Sequence, residues 1–208
     1  MIVKDGIVYL AVTTLITVLL SFFISFWFLV PGIVLFIFFA NFFRNPERPI
    51  PDSDCVVSPA DGKVIKIKKL SVDGSEQIFL SIFMNPLDVH VNRAPIAGKI
   101  TRYEYFPGKY LPAYDPQAPM ENERNSFSIH NNQMTVTCSQ VAGMLARRIR
   151  FWKEVNDDVA KGERIGLIKF GSRVDMWLPN YLKITVKESD RVKAGSSILA
   201  LIEKKNDQ

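Results

Sequence analysis

Asp61-Gly62-Lys63-Val64-Ile65-Lys66-Ile67-Lys68 is the stretch whose reading decides the fold. An aspartate and a glycine mark a turn, and the chain then alternates apolar and polar residues. Successive side chains of a strand point to opposite faces, so a period of two marks a strand with one buried face. The alternation returns in Thr135-Val136-Thr137-Cys138 and in Lys183-Ile184-Thr185-Val186-Lys187. Residues 77–83, 99–106, 127–130, 164–170 and 197–202 are further β-branched or aromatic runs bounded by turn signals. After Pro51 no stretch carries a helical stripe of several turns. The expectation is a mainly β domain over residues 52–208, a barrel or a sandwich.

Upstream, Asn45-Pro46-Glu47-Arg48-Pro49-Ile50-Pro51 reads as a connector over residues 44–51, because each proline removes a donor and pushes its predecessor out of the helical region. Before it, residues 6–43 carry no charged side chain. A membrane-spanning helix needs about 20 apolar residues, and residues 7–30 supply them. Pro31-Gly32 is expected to break the run. Residues 33–43 are then short for a second span, and close a hairpin, re-enter or lie in the interface. A cleaved signal peptide fits poorly, since the run is too long and no small-residue cleavage site follows. Residues 1–43 are therefore expected to be a membrane anchor, a helix or helical hairpin. Arg44 and Arg48 put the following domain on the cytoplasmic face of the cell membrane by the positive-inside rule.

Lys4 and Asp5 cancel, so the formal net charge of +5 belongs to the chain from Arg44 onward. That excess suits an anionic bilayer surface and equally an ordinary basic protein. No nucleic-acid partner is expected. The two cysteines, Cys55 and Cys138, have no second thiol or histidine at ligand spacing, so no metal is expected.

Histidine occurs twice, at His90 and His130, and a base working near neutral pH is expected to be one of them. His90 emerges beside an aspartate and an arginine in Asn85-Pro86-Leu87-Asp88-Val89-His90-Val91-Asn92-Arg93. It reads as a site residue or as a satisfied structural histidine. His130, before Asn131-Asn132, reads as an exposed strand end. Asp61, in Ser58-Pro59-Ala60-Asp61-Gly62, either initiates a turn or orients an imidazole. Gly171-Ser172 interrupts a strand pattern that begins at Arg164. A glycine there marks a bulge, or it marks self-cleavage. In the second case the Ser172 hydroxyl attacks the unshielded Gly171 carbonyl, and the ester eliminates to dehydroalanine, which hydrolyses to a pyruvoyl group and ammonia.

Taken together, these stretches resemble the short form of the phosphatidylserine decarboxylase family. Five ordered motifs carry the resemblance: Phe43-Arg44-Asn45-Pro46-Glu47-Arg48, Ser58-Pro59-Ala60-Asp61-Gly62, Asn85-Pro86-Leu87-Asp88-Val89-His90, Glu121-Asn122-Glu123-Arg124-Asn125 and Phe170-Gly171-Ser172. An echo between Asp61-Gly62-Lys63-Val64 and Val192-Lys193-Ala194-Gly195, each a turn entering a strand, is similar to the two halves of a barrel-sandwich hybrid. The resemblance implies scission between Gly171 and Ser172 into a β chain of residues 1–171 and an α chain of residues 172–208. It implies that His90 takes the Ser172 proton and Asp61 fixes the imidazole. The pyruvoyl group from Ser172 is the implied cofactor, forming a Schiff base with phosphatidylserine in the bilayer and releasing carbon dioxide to leave the ethanolamine lipid. Arg147, Arg148 and Arg150 are candidate contacts for the lipid phosphate, or one solvated face of a basic strand. A homo-oligomer is left open. Long-form members carry a second histidine three places after the first, where this chain has Arg93. Two alternatives stand beside this reading: a tethered barrel module without activity, and a pyruvoyl decarboxylase for another serine lipid or an amino acid.

Overall fold

A computed structural model describes residues 1–72, 74–115, 117–144, 148–169 and 171–202. The chain divides into two compact units, Met1–Glu47 and Arg48–Gln208.

In the first unit, α1 (Lys4–Phe23) and α2 (Leu29–Phe42) are joined through a single 3-10 turn at Phe26–Phe28. The 20 residues of α1 match a hydrocarbon layer of about 30 Å at about 1.5 Å per residue. By length and composition α1 is apolar enough to cross a membrane. The two helices form a hairpin. Tyr9 of α1 stacks on Phe43 at 5.0 Å and meets Phe39 of α2 at 5.4 Å. Ile2 bridges to Arg44, and the Asn45 N–H donates to the Met1 carbonyl at 2.7 Å. Pro31-Gly32 does not break the helix, contrary to expectation; the break falls at Ile24 and Ser25. Pro31 is the third residue of α2, and first-turn N–H groups have no carbonyl partner inside a helix, so its missing donor is not needed there.

The second unit is built from strands β1 (Cys55–Val57), β2 (Gly62–Val72), β3 (Ser75–Met84), β4 (Val91–Arg93), β5 (Gly98–Phe106), β6 (Arg124–His130) and β7 (Thr135–Ala142), followed by β8 (Ile149–Phe151), β9 (Asp158–Val159), β10 (Arg164–Ile168), β11 (Ser172–Pro179), β12 (Lys183–Ile184), β13 (Arg191–Val192) and β14 (Ile198–Leu201). A one-turn helix, α3 (Ala118–Glu121), lies between β5 and β6. The mainly β expectation holds. The strand expected over Lys183–Lys187 is shorter, because the Lys187 N–H turns to the Asp190 carboxylate instead of a neighbouring strand. The run expected from Arg164 ends as a strand at Ile168, and Phe170 lies outside the described residues.

Eight strands form one curled antiparallel sheet in the order β13-β2-β3-β11-β7-β6-β5-β9. Two three-stranded sheets, β1-β14-β12 and β4-β10-β8, complete the unit. Val64, Leu80, Ile82, Met84, Phe127, Cys138, Val174 and Met176 from the large sheet share one buried cluster with Val56, Ala200, Ile165 and Ile168 from the small ones. Burying each such side chain contributes about 1.5–3 kcal/mol, and this shared core makes one fold of three sheets. β11 runs between β3 and β7, two positions along its length being Val174 between Ile82 and Gln140, and Asp175 between Ser81 and Ser139. Alternation puts Ser172, Val174 and Met176 on the core face and Arg173, Asp175 and Trp177 on the other. Asp175 is fully buried, with Oδ1 accepting from Arg173 Nε at 2.6 Å. Burial pushes its carboxyl up from the usual range, against the pull of Arg173 and Ser81. Burial and the Asp175 charge likewise push the Cys138 thiol up.

Candidate active site

The segment from β10 to β11 leaves one sheet and enters another, and Gly171-Ser172 forms the corner. Gly171 has φ +66°, a left-handed backbone that costs an L-residue with a side chain about 1–2 kcal/mol. Ser172 opens β11 opposite Met84 on one side and Ala142 on the other. It is fully buried, and its hydroxyl donates to the Met84 thioether at 3.3 Å. The backbone after the Gly171–Ser172 link is thus held from both sides, while the residue before it is turned.

One loop flanks this corner at both ends. β3 stops at Met84, opposite Ser172, and residues 85–90 then run to His90, whose carbonyl accepts the Ile168 N–H at 3.4 Å. The loop is tied by its own side chains. The Asn85 N–H donates to Asp88 Oδ2 at 2.8 Å, and the Leu87 N–H to Asn85 Oδ1 at 3.1 Å. Asp88 Oδ1 also accepts from Arg191 at 3.0 Å. His90 is fully buried, with Nδ1 2.9 Å from the Asp88 carbonyl oxygen. A carbonyl only accepts, so Nδ1 carries a proton, and in the neutral ring Nε2 then holds the lone pair a general base requires. His130, by contrast, is exposed at the end of β6 with Nδ1 2.9 Å from Thr135 Oγ1.

The 58–61 loop packs beside the same strands. Its Pro59 carbonyl accepts from the Arg93 N–H at 2.9 Å and from Asn92 Nδ2 at 3.4 Å. Asp61 receives Arg48 Nη2 on one oxygen at 2.7 Å and the Ala194 N–H on the other at 2.8 Å. Burial pushes its carboxyl up, the Ala194 N–H and Arg48 oppose that shift, and the Asp88 charge adds to it. At the imidazole, Nδ1 bonds the Asp88 carbonyl, and Asp61 joins the connector to the turn before β14. Arg93 is buried and donates to the Gly162 carbonyl at 2.8 Å. Burial lowers its pKa, with Arg164 and Arg48 adding to the shift. Its side chain props the turn before β10.

The family model for phosphatidylserine decarboxylase matches residues 35–200. A protein of Solibacter usitatus is 44% identical over 199 residues, 96% of each chain, and one of Chlorobium chlorochromatii is 45% identical over 176 residues, 83% of each. A third, from Cupriavidus pinatubonensis, is 40% identical over 205 residues, 96% of this chain and 94% of its own. All three are named phosphatidylserine decarboxylase proenzyme. This chain belongs to the phosphatidylserine decarboxylase family. It is thereby an enzyme of a decarboxylase family, and the inert barrel module is set aside.

Several residues of this family member stand in the site whose roles the sequence left unassigned, Asn122 and Glu123 of the 121–125 motif among them. Asn122 takes a clamping position: Nδ2 donates to the Leu111 and Ala142 carbonyls at 2.8 and 2.7 Å, and Oδ1 accepts the Leu111 N–H at 2.8 Å. It fastens the β5–β6 connection to the strand end opposite Ser172. Glu123 accepts from Tyr110 at 2.8 Å on the same connection. Gln140 Nε2 donates to Asn92 Oδ1 at 2.7 Å, and Asn92 Nδ2 lies 3.7 Å from the Met84 sulfur that Ser172 touches. Asn122 stood in the 121–125 motif, and Asn92 and Gln140 were marked only by polarity at buried strand positions. Arg148 and Arg150 are exposed beside β10, where the Arg148 carbonyl accepts the Lys169 N–H at 3.3 Å and Arg150 pairs with Leu167. Arg147 lies outside the described residues.

Proposed function

We propose that this chain is a proenzyme that severs its own Gly171–Ser172 link, converts Ser172 into a pyruvoyl group, and then decarboxylates phosphatidylserine at a bilayer. The observation that carries the reading is the corner itself. A left-handed glycine precedes a buried serine pinned between two strands, and both flanks of the link are tied to the loop that bears His90. A backbone so held presents a nucleophile and a carbonyl in fixed relation, the condition under which intramolecular attack is fast. The residues present fit the group to be formed, since Ser172 heads its strand in a buried, water-excluded position.

In the first phase the lone pair on His90 Nε2 accepts the Ser172 Oγ proton as Oγ bonds to the Gly171 carbonyl carbon. The peptide C–N bond breaks and the nitrogen takes up a proton, leaving an ester. Loss of the Ser172 α-proton then expels the Gly171 carboxylate. Addition of one water and release of ammonia complete an α chain of residues 172–208. We assign Asp61 the role of stabilising the imidazolium, and Asp88 the role of fixing the tautomer.

When formed, the pyruvoyl group supplies the electron sink for loss of carbon dioxide. The chain's own residues do the rest. His90 returns a proton to the product α-carbon, the core around Met84 and Ala142 excludes water, and Arg148 and Arg150, with Arg147, draw the lipid phosphate. α1 and α2 anchor the chain in the cell membrane, and Arg44 and Arg48 favour a catalytic domain on the cytoplasmic side.

Intact-mass measurement tests this. Purified wild-type protein is expected as two chains, the smaller of about 4 kDa at roughly 110 Da per residue, with a blocked N-terminus. Ser172→Ala is expected as one inactive chain. Active wild-type enzyme isolated as a single chain with an ordinary serine at position 172 overturns the proposal. Carbon dioxide release from serine lipids, compared with free serine, tests the substrate.

A further inference from the structure

Where β7 ends at Ala142, the residue paired with Ser172, the next residue is Gly143. A Cβ placed on Gly143 would lie 2.4 Å from the Gly171 carbonyl oxygen and 3.1 Å from its carbon, with Ala113 Cβ also at 3.1 Å. Gly143 is not among the residues of positive φ, so nothing in its own backbone calls for glycine. What excludes a side chain there is the neighbouring carbonyl. That carbonyl is main chain, held by the pairing of Ser172 on both sides, and cannot swing away as a side chain would. Gly171 is the opposite case, glycine because of its φ of +66°, with nothing within 4 Å of the Cβ it lacks.

We propose that Gly143 is a positioning residue for self-scission, the room left by its missing side chain being where the Gly171 carbonyl oxygen sits. The inference rests on Gly171–Ser172 being the scissile link. In the first step the Oγ–C bond to Gly171 forms, the C–N bond to Ser172 breaks, and the hydroxyl proton ends on the freed nitrogen. That exchange needs the carbonyl carbon in the path of the hydroxyl. A methyl on residue 143 needs about 1 Å more than the 2.4 Å available to reach ordinary contact, and a misplacement of that size slows such a step about 100-fold.

The test compares processing of full-length wild type, Gly143→Ala and Gly143→Ala/Ala113→Gly in detergent, by intact mass over time, alongside thermal unfolding and hydroxylamine treatment. The double variant frees the space at Ala113 while keeping the carbonyl contact. Folded Gly143→Ala is expected to process about 100-fold more slowly, to gain no cleavage from hydroxylamine because no ester forms, and to stay slow in the double variant. Processing within threefold of wild type, ready hydroxylamine cleavage after Gly171, or rescue by Ala113→Gly each overturns the proposal. Failure of both variants to fold also overturns it, since the contact would then act on the fold and not on the scission. An uncleaved wild type is a separate result and removes the proposed function itself.

Discussion

Replacing Gly171 with alanine in the uncleavable Ser172→Ala chain measures how firmly the fold holds the corner in its left-handed backbone. Gly171 sits at φ +66°, and a Cβ there meets nothing within 4 Å. Steric clash therefore contributes nothing, and the whole effect is the left-handed backbone of an L-residue, about 1–2 kcal/mol. For a domain of this size each kcal/mol moves the midpoint by roughly 2–4 °C, so Tm is expected to fall by about 2–8 °C. The Ser172→Ala background keeps every molecule in one piece, and the missing hydroxyl cancels between the two chains. The assay is thermal unfolding of both precursors in the same detergent, followed by near-ultraviolet circular dichroism. A midpoint unchanged within a degree would mean that residue 171 leaves the left-handed region at no cost and that the corner is not held there. A loss well beyond this range would mean a clash that the open space at residue 171 does not contain. Either result refutes the reasoning.

Four further outcomes are expected. Burial raises the Asp61 carboxyl and Arg48 opposes that shift, so Arg48→Gln raises it further. If ionised Asp61 serves the scission, the acid limb of the processing rate moves to higher pH, and an unmoved limb excludes that role. The same shift means the folded state binds more protons than the unfolded one above the usual value of 3.8, so the Asp61 contribution to stability declines as pH rises through the folded-state pKa. Asn122→Ala removes three hydrogen bonds to Leu111 and Ala142; a loss of about 2–4 kcal/mol in urea unfolding is expected, and an unchanged midpoint refutes the clamp. Asp175→Ala strands the buried Arg173 guanidinium and is expected to destabilise by about 3–5 kcal/mol, whereas Arg173→Met/Asp175→Leu is expected to lie near wild type; a double variant as unstable as the single one refutes the ion-pair account.

The β character was legible because alternation is local. Ile65 to Lys68 and Thr135 to Cys138 fall inside β2 and β7 as the period of two requires. The helix break was misplaced because proline was read without its position. Pro31 opens a helix instead of ending one, and the break sits six to seven residues earlier, at Ile24 and Ser25, where no proline or glycine marks it. Gly171 announced an interruption in sequence, but not its kind, since a bulge and a left-handed corner need the same residue. Asn122 stood in a motif of the family resemblance, but its clamp was not legible. Its partners, Leu111 and Ala142, are 11 and 20 residues away, and nothing in a sequence states which carbonyl an amide will find. Arg48 looked like part of a connector until the fold brought it to Asp61 across 13 residues.

The corner also orders events. Ser172 is held by Met84, 88 residues earlier in sequence, and by Ala142, so the geometry needed for scission exists only after β11 has entered the centre of the large sheet. Such non-local pairing is slow to form, so under the proposed scission an unfinished chain would lack the geometry to cut itself. The same pairing explains why a cut at this point need not unfold the protein. Every strand after residue 171 is bound to a strand before it or to one so bound: β11 to β3 and β7, β13 to β2, and β14 to β1, with β12 on β14. A break in the Gly171–Ser172 link would remove one covalent bond from the corner and leave the ladders on either side intact. The position of the link, at the passage between two sheets and not within either, is what would let a chain divided by the proposed scission remain one structure.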